Sequence, residues 1–110
     1  MTKLEKINNP TEPLRRWINA LRSGEYKQCK NKLRSCNQYG KTYCAAGVLC
    51  DLYYKEFHID GSFKGHYPNS EILEWVGLND GDFIYSIARL NDWKGYSFEL
   101  IASEIEENII

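Results

Sequence analysis

Tyr43-Cys44-Ala45-Ala46-Gly47-Val48-Leu49-Cys50 is the stretch around which the rest of this chain must be arranged. Thr42 or Tyr43 reads as the opening of a helix whose buried face is Ala45, Val48, Leu49, Leu52 and Tyr53, an apolar stripe at helical spacing. Gly47 stands inside it, where Gly costs about 1 kcal/mol relative to Ala. A glycine kept at that cost implies close approach by another helix or by a ligand. Cys44 sits at the helix start, where the positive end of the dipole favours thiolate.

Upstream, Thr11 is suited to cap a first helix with Pro13 in its first turn, where a missing N–H does no harm. Leu14, Trp17, Ile18 and Leu21 give that helix one apolar stripe, and Ser23-Gly24 stops it, Gly supplying the left-handed residue. Residues 25–43 lack helical period. With turn chemistry at Asn37-Gln38-Tyr39-Gly40, they read as a loop and then a short hairpin over 33–43.

Downstream, residues 58–69 read as irregular, with Asp60-Gly61 as the clearest turn. Asn69 or Ser70 caps a third helix through Trp75, ended by Gly77. Asn79 or Asp80 opens a fourth, carrying Phe83, Ile84, Ile87, Ala88 and Leu90. Ser97 starts a fifth, striped by Phe98, Ile101, Ala102, Ile105 and Ile109, with Tyr96 placed to staple Ile101. The expected fold is α+β and mostly helical: about five short helices around one core, with a small β-hairpin. Its 110 residues suit a single domain, 1–110, in which 1–10 form a polar lead-in.

The composition is globular, at 43% hydrophobic, 14% aromatic and 26% charged. A net charge of −1 argues against a duplex-binding protein. The charges are segregated, however. Arg15, Arg16, Arg22, Lys27, Lys30, Lys32, Arg34 and Lys41 face the single acid Glu25 between positions 15 and 41, whereas residues 99–110 hold Glu99, Glu104, Glu106 and Glu107 without a base. That polarity favours an anionic small molecule or partner near the first third, or head-to-tail association into a homo-oligomer. The start, Met1-Thr2-Lys3-Leu4-Glu5-Lys6, is charged and unlike a signal peptide, and no stretch approaches a membrane span. A cytoplasmic setting is expected, with Cys29, Cys36, Cys44 and Cys50 kept as thiols. Their spacing has no Cys-x-x-Cys pair, so no metal is expected, and no cofactor.

Three places could carry chemistry. Cys44 is the candidate nucleophile, which would need a histidine in reach; His58 and His66 are the two the chain has. The reading preferred over it is a buried cysteine packed as a small hydrophobe, with Gly47 permitting close approach. The second is the loop after the first helix, in which Arg22 could pair with phosphate, Tyr26 could stack and Gln28 could read an edge. The third is Leu90-Asn91-Asp92-Trp93-Lys94-Gly95-Tyr96-Ser97-Phe98, two helix ends joined by a turn, whose Asn91 and Asp92 are added to the candidate ligand-binding set. Residues 95–102 echo the start of a helix-turn-helix, but only an acidic helix follows, so that reading fails. Glu12, Asp51, Asp60 and Asp82 make no recognisable carboxylate pair.

The ordered set Ala20-Leu21-Arg22-Ser23-Gly24-x-Tyr26-x-Gln28, Tyr43-Cys44-x-x-Gly47-Val48-Leu49-Cys50-Asp51-Leu52 and Leu90-Asn91-Asp92-x-x-Gly95-x-Ser97-Phe98-x-x-Ile101-Ala102-x-x-Ile105 resembles a family of small uncharacterised bacteriophage and prophage proteins. This chain departs from that pattern at Cys29, where a small Gly is common, and at Ala45, often a second Cys. The resemblance implies an accessory role in the host cytoplasm. The leading expectation is a non-enzymatic binder that counters host defence, by sequestering a nucleotide signal or blocking a host defence protein. A Cys44-dependent hydrolase or transferase comes second, and a structural or protein-interaction module third.

Overall fold

A computed structural model describes residues 10–65, 67–78 and 81–109. The element order is α1 (Glu12–Arg22), β1 (Arg34–Asn37), β2 (Gly40–Tyr43), α2 (Ala45–Glu56), α3 (Ser70–Val76), α4 (Asp82–Asp92) and α5 (Phe98–Glu107). This is the α+β, mostly helical arrangement that the apolar stripes and turn residues imply.

The caps explain where the helices begin. Thr11, Asn69 and Ser97 are extended residues whose side-chain oxygens accept the N–H of Leu14, Ile72 and Leu100. The Thr11 hydroxyl also donates to the Val76 carbonyl at 2.8 Å, tying the start of α1 to the end of α3. Gly77 ends α3 in the left-handed conformation, φ 89°. The expected caps of the fourth helix, Asn79 and Asp80, lie outside the described residues. In the structure Gly81 occupies the cap position of α4 and makes no side-chain cap bond.

Two boundaries differ from the sequence expectation. Thr42 and Tyr43 do not open α2; they end β2, which pairs antiparallel with β1 in the register Arg34 to Tyr43 and Asn37 to Gly40. The β-branched and aromatic side chains prefer the pleat, and Cys44 then caps the helix as its last extended residue. At the other end, α4 continues through Asn91 and Asp92, which therefore belong to a helix and not to the following turn. The expected Asp60-Gly61 turn is also displaced. The chain reverses at Phe57 and His58, the latter at φ 53°, while Gly61 leaves room for the Tyr54 ring lying on it.

The core is one cluster fed by all five helices, Leu33 and Tyr43. α1 lies along α5, and α2 touches α1, α3 and α4, so α2 is the central helix. The face expected to be buried is buried at Ala45, Val48 and Leu49 but only half-buried at Leu52 and Tyr53. Ala46, Gly47 and Cys50 are covered as well, because α2 is surrounded over its first two turns. Trp17, fully buried, donates its indole N–H to the Ala45 carbonyl at 2.9 Å, which fixes α1 against α2. No helix among the described residues is long and apolar enough to cross a membrane.

Candidate functional site

The residues singled out in the sequence fall into three separate structural situations. Arg22 reaches α5, where its guanidinium bonds both Glu106 carboxylate oxygens, at 3.0 and 3.2 Å, and the Ser103 hydroxyl at 3.3 Å. Glu99 lies 3.7 Å away. This bidentate pair joins the basic first third to the acidic C-terminal helix within one chain, with the Arg22 guanidinium engaged by Glu106. Ion pairing raises the Arg22 pKa and lowers that of Glu106, in each case chiefly through their mutual hydrogen bond.

Gln28, Asn91 and Asp92 do meet, across 63 residues of sequence, but they meet each other. The Gln28 amide donates to Asn91 Oδ1 at 2.8 Å and to the Tyr96 carbonyl at 2.7 Å. Asn91, fully buried, also accepts the Ala45 N–H at 3.2 Å and donates to the Cys29 carbonyl and to Asp92 Oδ1 at 2.8 and 2.7 Å. All four of its hydrogen-bonding positions are occupied. Asp92 accepts the Asn31 N–H at 2.9 Å. These residues clasp the 28–31 loop to the start of α2, and the polar groups expected to read a ligand bond one another within the chain.

Cys44 is the third case. Its Sγ accepts the Gly47 N–H at 3.3 Å, as a cap oxygen would, and the residue is 3% exposed. Burial pushes its thiol from 9.0 up to about 12, against the expectation of a dipole-lowered pKa. Desolvation outweighs the backbone hydrogen bonds from Gly47 and Ala46 that lower it. His58 is exposed just past the far end of α2, about 18 Å away along a twelve-residue helix. His66 lies outside the described residues. No cysteine–histidine pair is therefore assembled by Cys44 and His58. All four cysteines are free, Cys36 exposed, Cys44 and Cys50 buried. Iodoacetamide at neutral pH is expected to label Cys36 first and to leave Cys44 and Cys50 unmodified, as adduct mapping by mass spectrometry would read. Rapid labelling of Cys44 in the folded protein would restore it as a nucleophile.

Tyr26 leads to the site that sequence reasoning missed. Its hydroxyl donates to Asp51 Oδ2 at 2.6 Å, and Lys55 Nζ approaches the same oxygen at 2.9 Å from one turn further along α2. Burial, then the Asp51 hydrogen bond, pushes Tyr26 up to about 12; the same carboxylate holds Lys55 at about 12. Tyr26 is therefore a neutral donor, not an available stacking surface, since Lys55 also lies 5.5 Å from its ring centroid. Beyond this trio opens a groove of about 310 Å³, lined by Arg34, Asp51, Tyr54, Lys55, His58 and Phe63 among others. Arg34 projects from β1 over the Phe63 ring, 4.1 Å from its centroid. Among the described residues no carboxylate lies within ion-pairing distance of Arg34. The β1–β2 register puts Lys41 on the same face as Arg34.

The groove lining is of mixed charge, with Arg34 and Lys55 beside the engaged Asp51 and the exposed Asp60. The sequence signal for the groove was the basic run through Lys41, because Arg34 meets Lys55 and His58 through tertiary packing alone. Among the described residues no group of three or more His, Cys, Asp or Glu side chains is arranged to hold a metal ion. The family model of a domain of unknown function, DUF8296, matches residues 11–76, more than half of the chain, and the chain belongs to that family. The match contains the whole groove and ends before α4. No curated protein and no solved structure matches the chain.

Proposed function

We propose that this member of the DUF8296 family is a non-catalytic binder of a small phosphate-bearing, nucleotide-like anion, taken up in the groove between β1 and the C-terminal half of α2. The observation that carries this reading is the Arg34 guanidinium, held over Phe63 at 4.1 Å without a carboxylate partner among the described residues. A guanidinium kept in one orientation by a ring loses little entropy when it forms a bidentate pair with phosphate. Lys55 lines the same groove, its ammonium held in place by Asp51 at 2.9 Å, so Arg34 carries the recognition. His58, just past the end of α2, lines the same groove. In a phage setting such a binder would work by sequestration: it lowers the free concentration of a host signal without altering it.

A thermal-shift series with nucleoside mono-, di- and triphosphates and cyclic dinucleotides tests the proposal. The right ligand stabilises the protein by about 2.7 kcal/mol at a hundredfold excess over Kd, rising with the logarithm of concentration. Replacing Arg34 by Ala should weaken that ligand about tenfold or more, the worth of a charge-assisted hydrogen bond. The ligand should leave the denatured protein chemically unchanged. A panel that produces no shift, or a shift indifferent to Arg34→Ala, refutes the reading.

A further inference from the structure

The outer face of α4 carries a row of flat groups. Tyr85, Arg89 and Trp93 are spaced four residues apart and so line one side of the helix. The Arg89 guanidinium lies between the two rings, its carbon 6.0 Å from the Tyr85 centroid and 5.7 Å from that of Trp93. Tyr67 stacks on Tyr85 with centroids 6.0 Å apart and planes inclined by 29°. Four flat groups therefore form one column along the helix. It ends at Trp93, which is 79% exposed, while Tyr85 and Tyr67 are about half exposed. Beside the foot of the column Tyr67, Leu73, Ile84 and Tyr85 border an apolar cleft of about 270 Å³.

Cations gather around the exposed end. Lys30 Nζ lies over Gly95, and Asn31 is tied to Asp92, so the 27–32 loop rides on the corner that carries Trp93 and Lys94. Lys27, Lys30 and Lys32 are exposed on that loop, and Lys94 beside it. Among the described residues none of the four has an ion-pairing carboxylate; the cations that do are Arg16, Arg22 and Lys55. Asp92, the acid nearest to them, is occupied by Asn31 and Asn91.

We infer that this face binds single-stranded nucleic acid, its bases stacking on the Trp93 end of the column and its phosphates neutralised by Lys30, Lys32 and Lys94. Alternating rings and cations are what an unpaired strand requires, because each base offers a flat face and each linkage a charge. A duplex hides its base faces in its own stack, and the overall charge of −1 gives it no broad basic field. An acidic protein would engage the lysines but leave the column unexplained. The strand site is separate from the Arg34 groove and does not depend on it.

Fluorescence anisotropy with a labelled twelve-residue oligothymidylate provides the test. Expected are binding that weakens steeply with salt, little affinity for a duplex of equal length, and quenching of Trp93 emission. Trp93→Ala should weaken binding about tenfold and Trp93→Phe should largely restore it. Lys30→Glu with Lys94→Glu should weaken it further. These positions are exposed, and circular dichroism checks that each variant stays folded. Equal binding by Trp93→Ala, or displacement of the oligonucleotide by poly-glutamate at equal charge concentration, would overturn the inference; the second outcome would assign the face to an acidic protein.

Discussion

Replacing Gly47 by Ala is expected to destabilise the protein by about 3 kcal/mol, the upper end of what overpacking a core costs. The sign is the informative part. In an exposed helix the same change stabilises by up to about 1 kcal/mol, through propensity alone. Here a Cβ on Gly47 would overlap the carbonyl carbon and oxygen of Leu33. The obstacle is backbone, which has no rotamer into which to retreat. That carbonyl also accepts the Cys44 N–H at 3.3 Å, so pushing α2 away breaks the contact that seats its first turn against the hairpin entry. Leu33 is 2% exposed, and any displacement opens the core beside it. Urea unfolding of the two proteins measures the difference. Equal or increased stability of the Gly47→Ala protein would mean that the helix and the Leu33 carbonyl do not approach as described.

Gly47 also illustrates where sequence reasoning stops. A helix interior that keeps a glycine signals close approach, and that much is local. What approaches is not local: it is neither a second helix nor a ligand but the backbone of the segment entering β1. The same division holds elsewhere. Thr11, Asn69 and Ser97 announce helix starts because a cap bond spans only three residues. Cys44 did not announce itself as a cap, since sulfur rarely takes that position, and the dipole argument for a thiolate had no term for burial. Arg22 looked free because Glu106 lies 84 residues further on. Charge segregation along the chain suggested an external anion, and part of it is spent internally, on that pair. Arg34 in the groove and the lysines of the 27–32 loop are among the cations without such a carboxylate among the described residues, and each binding proposal draws on some of them.

The clasp around Asn91 sets how those cations are displayed, and its removal should be the most damaging polar substitution in the chain. Asn91→Ala would strand the Ala45 N–H, one N–H of Gln28 and the Cys29 carbonyl, all in a site with no solvent exposure at Asn91. At about 1–3 kcal/mol for each buried group left unpaired, relieved in part by relaxation, the expected loss is about 3–5 kcal/mol. Asn91→Asp keeps the shape but replaces two donors with a carboxylate oxygen facing the Cys29 carbonyl and Asp92 Oδ1. Burial and the neighbouring acid both raise the pKa of the new carboxyl. A raised folded-state pKa contributes most at low pH, so the deficit of Asn91→Asp should be greatest near neutrality and shrink as the carboxyl protonates. Asn91→Ala lacks that group and should show no such recovery. Gln28→Ala provides the remaining corner of a double-mutant cycle, in which the combined loss should fall short of the sum because both changes break the same bond. Strict additivity in urea unfolding, with no recovery of Asn91→Asp on acidification, would show that Gln28 and Asn91 act independently, and would dissolve the clasp.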